Sequence, residues 1–151
     1  MTNTNTQTNG IDLASANRII EVCIRLSRER NYQPMTFCIL DRGGHFVSAQ
    51  REDNSSIMRF DIAFGKAWSC MAIGHSTRFM EESMAKNRPH FLDSLAATSG
   101  GKFIPCMGGV LIRDASATLI GAIGVTGDSG ANDELVAVDA ITLCGLQPDL
   151  S

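Results

Sequence analysis

The feature that most constrains the fold is a short apolar run followed at once by a turn that contains two glycines. Residues 35–40 are apolar apart from Thr36 and have the length of a strand, and residues 45–52 have the pattern of a second strand. Residues 41–44 (Asp-Arg-Gly-Gly) supply glycine where a tight turn needs a positive φ. The pattern predicts an antiparallel hairpin, and therefore a sheet in which neighbouring strands are connected directly.

Helical periodicity follows on both sides of this hairpin. Asp12 is placed to cap a first helix, a second helix is expected over about residues 56–74, and a third is expected to start at Ser76. The second helix is expected to bury one stripe, made of residues Phe60, Phe64, Ala67, Met71 and Gly74.

The C-terminal half adds strands at residues 110–112 and 119–125 and a last helix that Asn132 would cap. Residues 90–105 are harder to assign, and a short strand at residues 103–104 is the expectation there. The resulting order is helix, two strands, two helices, two or three strands, helix. It predicts an α/β domain of the α+β type, with helices covering an antiparallel sheet.

The amino-acid composition limits the kinds of partner that this chain is expected to bind. The 151 residues fit one domain, and a balance of 13 basic against 16 acidic residues argues against nucleic acid as a partner. No apolar run has the roughly 18 residues that a membrane helix needs, so we expect no membrane partner. The first ten residues form a polar stretch without a secretory pattern, which predicts a disordered arm and a cytoplasmic protein. Five widely spaced cysteines predict free thiols.

Three segments resemble a known family. They are residues 40–45 (Leu-Asp-Arg-Gly-Gly-His), residues 61–67 with Asp61, Lys66 and Ala67, and the glycine-rich stretch 119–127 with Asp133 downstream. In this order they are similar to the GlcG/HbpS family of small haem-binding or haem-degrading-type proteins.

The resemblance covers roughly residues 12–145. It implies a profilin-like fold, with a five-stranded antiparallel sheet between helical layers in a single domain over residues 11–151. It also implies a homo-oligomer, from dimer to octamer. Thr126 stands where the family often has serine, which keeps the hydroxyl.

The matched residues predict a basic-rimmed cleft between the hairpin, the second helix and the glycine-rich strand. His45 is the expected haem iron contact or proton carrier. His45, Lys66 and Asp133 are the residues expected to perform acid–base catalysis. Arginines would hold carboxylates, and glycines would let a ligand approach the backbone. The residues expected to bind the ligand are Arg42, Arg51, Asp61, Gly121, Gly124 and Thr126.

Ordinary structural roles stay open for the same residues. His45 can satisfy a turn carbonyl, Lys66 can form a structural ion pair, and Asp133 is favourable at a helix start on its own. The preferred function is binding of a small ligand, with haem the ligand that the resemblance suggests. The alternatives are a cofactor-independent isomerase, hydratase or lyase acting on a small hydroxy acid or an oxidised aromatic metabolite, and a non-catalytic accessory or chaperone-like assembly protein.

Overall fold

The computed structural model describes residues 9–151, so the predicted arm at residues 1–10 lies outside the described residues except for Asn9 and Gly10. One antiparallel sheet forms the centre of the molecule. Its strands are β1 (Thr36–Asp41), β2 (Phe46–Arg51), β3 (Gly109–Arg113), β4 (Leu119–Thr126) and β5 (Gln147–Asp149). The strand order is β2-β1-β4-β3-β5, and every neighbouring pair is antiparallel.

Six α-helical segments accompany the sheet in the described part of the chain. They are α1 (Leu13–Glu29), α2 (Arg59–Ile73), α3 (Thr77–Phe79), α4 (Ala85–Asn87), α5 (Pro89–Thr98) and α6 (Gly130–Leu143). A π-helical turn at Met80–Met84 connects α3 to α4 without a break. No helix among residues 9–151 combines the length and apolarity needed to cross a membrane.

Helices cover both faces of the sheet. On one face, α1 and α6 bury a core that includes Ile19, Ile123 and Ile141. On the other face, α2 packs against β1, β4 and β3 through small residues such as Ala63 and Ala67. This arrangement confirms the predicted α+β fold, with a five-stranded antiparallel sheet between helical layers.

The helix ends follow the sequence signals for the most part. The Asp12 side chain accepts a hydrogen bond from the Ser15 amide, and Ser76 caps α3 through the Phe79 amide. Gly74 ends α2 in the left-handed conformation with φ 79°. The last helix is an exception, because Ser129 and not Asn132 is its N-cap. The Ser129 hydroxyl accepts from the Asn132 amide, so the cap lies three residues earlier than predicted.

Two further expectations are wrong. Residues 103–104 form no strand, and the fifth strand is β5 at the C-terminus. The predicted apolar stripe of α2 is also displaced, because Phe60 is 40% exposed. The face that α2 turns to the sheet carries Ala63, Ala67 and Cys70. Since Gly124 of β4 lies directly beneath Ala63, the helix approaches too closely for aromatic side chains to fit between them.

Candidate functional site

A buried ion pair joins the two helical layers around the end of the sheet. Lys66 comes from α2 on one face, and Asp133 comes from the first turn of α6 on the other. The Lys66 Nζ lies 3.2 Å from Asp133 Oδ2 and donates to the Val125 carbonyl at 2.8 Å. Both residues are almost fully buried, at 3% and 2% exposure. The structure therefore pairs two of the three residues for which the sequence predicts acid–base catalysis.

The pair fits because the neighbouring residue is a glycine. Gly108 precedes β3 with φ +122°, a conformation that side chains rarely adopt. A Cβ at this position would lie 2.7 Å from Lys66 Nζ and 3.1 Å from Asp133 Cβ. Any side chain at residue 108 would therefore occupy the space in which the two charged groups meet.

Asp133 is held from two sides. Its Oδ2 accepts a hydrogen bond from Lys66 Nζ, and its Oδ1 accepts one from the Asp128 amide at 2.9 Å. Asp128 is itself fixed, because it accepts from the amides of Gln33 and Ser129 and from the Asn132 side chain. These hydrogen bonds hold the pKa of Asp128 below its usual value. The loop before α6 is thus a rigid frame for the Asp133 carboxyl.

Burial acts on both charges of the pair. It lowers the pKa of the Lys66 ammonium, an effect that the nearby Asp133 opposes. It raises the pKa of the Asp133 carboxyl, which Lys66 opposes in turn. These shifts bring the proton affinities of the two groups closer together than in water. Such a pair is suited to accept and donate a proton at a bound ligand.

The pair forms the floor of a pocket of about 330 Å³, which we call the Lys66–Asp133 pocket. Its lining residues are Arg59, Ile62, Lys66, Glu81, Cys106, Met107, Thr126, Asp128, Gly130 and Asp133. Arg59 at the start of α2 donates to the Thr126 hydroxyl at 2.7 Å. Glu81, on the π-helical turn, accepts from the Met107 amide at 2.7 Å. The pocket therefore offers both a guanidinium donor and carboxylate acceptors.

The sequence patterns did not single out Arg59, Glu81 or the exposed Cys106 as site residues. A signal for Arg59 was present, because it precedes Lys66 by two helical turns and so lies on the same side of α2. Glu81 carried no comparable signal, because its position depends on the π-helical turn. Cys106 is exposed, whereas the other free cysteines are buried, and burial raises the pKa of Cys38 and Cys70 to about 12.

The predicted histidine lies at the other end of the sheet. Thr126 pairs with Thr36 at the pocket, whereas Gly121 pairs with Asp41 five residues along β1. That separation is about 17 Å at roughly 3.3 Å per residue. The His45 ring is 74% exposed there, and its Nδ1 lies 3.2 Å from Asp41 Oδ1. Arg42 belongs to the same turn. Arg42, His45 and Gly121 therefore do not join Lys66 and Asp133.

The remaining predicted ligand residues are also separated from the pocket. Arg51 donates to the Ser55 carbonyl and lines a different depression beside Glu52. Asp61 is exposed on the flank of α2. A Cβ at Gly124 would overlap the Ala63 carbonyl oxygen, so this glycine admits a helix and not a ligand. The structure therefore does not bring these residues together in a single cleft between the hairpin, α2 and β4. Among the predicted site residues, Lys66, Asp133 and Thr126 are the ones that come together.

Comparison with known proteins gives consistent matches. Residues 11–142 match the model of the family described as "Haem degrading protein HbpS-like". A Citrobacter freundii protein, described as an uncharacterized 15.0 kDa protein in the dhaT-dhaS intergenic region, is 27% identical over 131 residues. The match covers 87% of this chain and 89% of that protein.

Solved structures match over nearly the whole chain. The Klebsiella pneumoniae protein ORFY is 26% identical with a TM-score of 0.79, over 95% of this chain and 96% of that one. A PduOC:haem complex is 21% identical with a TM-score of 0.79, over 93% and 99% of the two chains. A double mutant of Streptomyces reticuli HbpS is 20% identical with a TM-score of 0.71, over 91% and 89%. The two structures at lower identity show the shared fold.

Proposed function

This chain belongs to the HbpS-like family, and we propose that it binds a small ligand in the Lys66–Asp133 pocket. The observation that carries the proposal is the buried ion pair at the pocket floor. Burying two charges costs free energy that their attraction only partly recovers, so such pairs are poor devices for stability alone. A pair with shifted pKa values beneath an open pocket is typical of a functional site.

The chemistry of the walls favours a small hydroxy acid. Arg59 can bind a carboxylate with two parallel hydrogen bonds. Glu81 and Asp133 provide acceptors for a hydroxyl group, and the start of α6 at Gly130 adds a favourable dipole for an anion. Because acidic residues also line the pocket, a ligand with both an anionic and a donor group fits better than a simple anion.

The same arrangement supports proton transfer. Asp133 is an acceptor whose pKa is raised by burial, and Lys66 is a donor whose pKa is lowered by it. A ligand held by Arg59 would lie above both groups. This geometry favours acid–base chemistry on the hydroxy acid over a purely structural role.

The first test is a calorimetric titration with glycolate, lactate and malate. We expect at least one acid to bind saturably. Arg59→Gln should lower the affinity for that acid by roughly 10- to 100-fold, the effect of losing hydrogen bonds to a charged group. Arg51→Gln is the matched control, because Arg51 lies at the same end of the sheet but lines a different depression. Absence of saturable binding, or equal effects of the two substitutions, contradicts the proposal.

Haem binding is a second candidate function, favoured by the family description and by the haem complex with a similar fold. The residues predicted for haem do not form one site here, since His45 is distant and Lys66 is engaged. His90 instead lines a depression of about 420 Å³ together with Arg88. Imidazole can ligate haem iron, and a guanidinium can pair with a propionate. We therefore place the haem candidate site at His90.

Haemin titration followed in the Soret band tests this second candidate. We expect saturable binding that weakens by about 10-fold or more in His90→Ala, because an axial ligand is lost. His45→Ala is the matched control, since this histidine is also exposed but lies in the turn before β2. The assignment is overturned if haemin uptake does not saturate. It is also overturned if His90→Ala and His45→Ala both bind haemin as the parent protein does.

Self-assembly stays a prediction. An exposed apolar patch supports it: Ile57 is 85% exposed, Met58 67% and Phe60 40%. Exposed clusters of this kind often mark contact surfaces between proteins.

A further inference from the structure

A second pocket, which we call the Trp68 pocket, lies between α2 and α5. Its volume is about 330 Å³, and it has no lining residue in common with the Lys66–Asp133 pocket. Trp68 and Ile73 of α2 form one wall, and Leu95 of α5 and Phe103 form the other. The volume lies at the small end of the range for ligand pockets, about 300–1,000 Å³, so the space suits a single ring.

The pocket is a supported part of the fold. Phe103 packs with Met80 and Leu92 in a small core, and Trp68 and Leu95 lie against that core. Ser99 fixes the loop that follows α5, because its hydroxyl accepts from the Phe103 amide and donates to the Ala96 carbonyl. The walls are therefore preformed, and a ligand would not have to order them.

One cation lies at the rim. The Lys102 Nζ is 5.4 Å from the centroid of the Trp68 ring, so the ammonium lies over the ring face. Within residues 9–151, no carboxylate lies within ion-pair distance of Lys102. Asp61 lines the adjacent depression with Lys102 but does not pair with it. The rim therefore has a positive charge available to a ligand.

We propose that the Trp68 pocket binds a monocyclic aromatic carboxylate. The ring would pack against Trp68 and Phe103, where offset or edge-on aromatic contacts are favourable. The carboxylate would pair with Lys102, and the Thr98 hydroxyl on the same rim could donate to it. Apolar walls with one unpaired cation fit this class better than a neutral apolar ligand or a simple anion.

Trp68 is the only tryptophan in the chain, so its fluorescence reports directly on this pocket. We expect benzoate to change the emission saturably and benzyl alcohol, of similar shape but neutral, to bind about 10-fold more weakly because it lacks the charged partner. Lys102→Met should weaken the binding of benzoate by a similar factor and leave the binding of benzyl alcohol unchanged. Lys102 is exposed, so this variant should keep the fold, which far-UV circular dichroism checks.

Two controls make the result decisive. Lys86→Met removes an exposed lysine of α4 outside the pocket and should leave the benzoate titration unchanged. Arg59→Gln should also leave it unchanged, which separates this site from the Lys66–Asp133 pocket. The inference is overturned if benzoate causes no saturable change, or if Lys102→Met binds it as the parent does. It is equally overturned if the emission changes only with protein concentration, because a second copy of the chain then occupies the pocket.

Discussion

Replacing Lys66 with methionine is expected to destabilise the protein by about 3–5 kcal/mol, the usual cost of removing one partner from a buried ion pair. Methionine keeps much of the length and apolar character of the lysine stem. The loss therefore arises from Asp133, which stays 2% exposed without its cation. Urea denaturation of the variant and the parent at pH 7 measures the difference in the free energy of unfolding.

A second substitution should relieve this penalty. Asp133→Asn keeps an acceptor for the Asp128 amide but removes the charge. We expect the double variant, with Lys66→Met and Asp133→Asn, to recover at least half of the lost free energy, because neither charge is then left alone. A cost below about 1 kcal/mol for Lys66→Met, or simple addition of the two single effects, would contradict a coupled pair.

The destabilisation should also depend on pH. In Lys66→Met, burial raises the pKa of Asp133 further, since Lys66 no longer opposes it. In the unfolded chain this carboxyl has a pKa of about 3.9. Below that pH the carboxyl is protonated in both the folded and the unfolded state, so the variant loses little unfolding free energy from it. As the pH rises towards the folded-state value, ionisation increasingly favours unfolding. The difference in unfolding free energy between variant and parent should therefore widen as the pH rises above about 4.

Gly124→Ala is expected to cost about 3 kcal/mol or more, at the upper end of the range for overpacked cores. The added Cβ would overlap the Ala63 carbonyl oxygen and lie 2.9 Å from the Ala67 amide nitrogen. Both contacts are with the backbone of α2, so a side-chain rotation cannot relieve them. The helix must move, and it carries Arg59 and Lys66 with it.

Gly74→Ala is the matched control for this substitution. Its Cβ would meet nothing within 4 Å, so the cost is limited to the left-handed backbone, about 1–2 kcal/mol. Urea denaturation of both variants compares a steric clash with a conformational preference. Equal losses would show that α2 does not depend on its close approach to β4.

Local sequence signals were sufficient for most elements. The β1–β2 hairpin, α1 and the Ser76 cap follow from residues that are neighbours in the chain. The fifth strand, β5, could not be predicted in the same way. It has three residues, one of them a proline, and it forms by pairing with β3. This strand forms because the edge of β3, which is distant in the sequence, is available for pairing. The residue pattern of β5 alone does not predict a strand.

The candidate site was predictable as single residues but not as an arrangement. Lys66 and Asp133 were each singled out, yet nothing in the sequence indicated that they form a pair. They meet because α2 and α6 cover opposite faces and Gly108 leaves the sheet end open. The distance of His45 from this pair was equally hidden, because it depends on which end of β1 carries the turn and which end faces Lys66 and Asp133.

The most direct test of the Lys66–Asp133 pocket reads the acid titration at Cys106. This cysteine lines the pocket and is exposed, whereas the other four are buried. N-ethylmaleimide should therefore modify one thiol rapidly. We expect the acid that binds to slow this reaction by about 10-fold when it occupies roughly nine-tenths of the sites, because the protected fraction follows occupancy. In Arg59→Gln, whose affinity is reduced by about 10- to 100-fold, the same acid concentration should slow the reaction by only about twofold or less. An unchanged reaction rate at saturating acid would place the ligand elsewhere and contradict binding in the Lys66–Asp133 pocket.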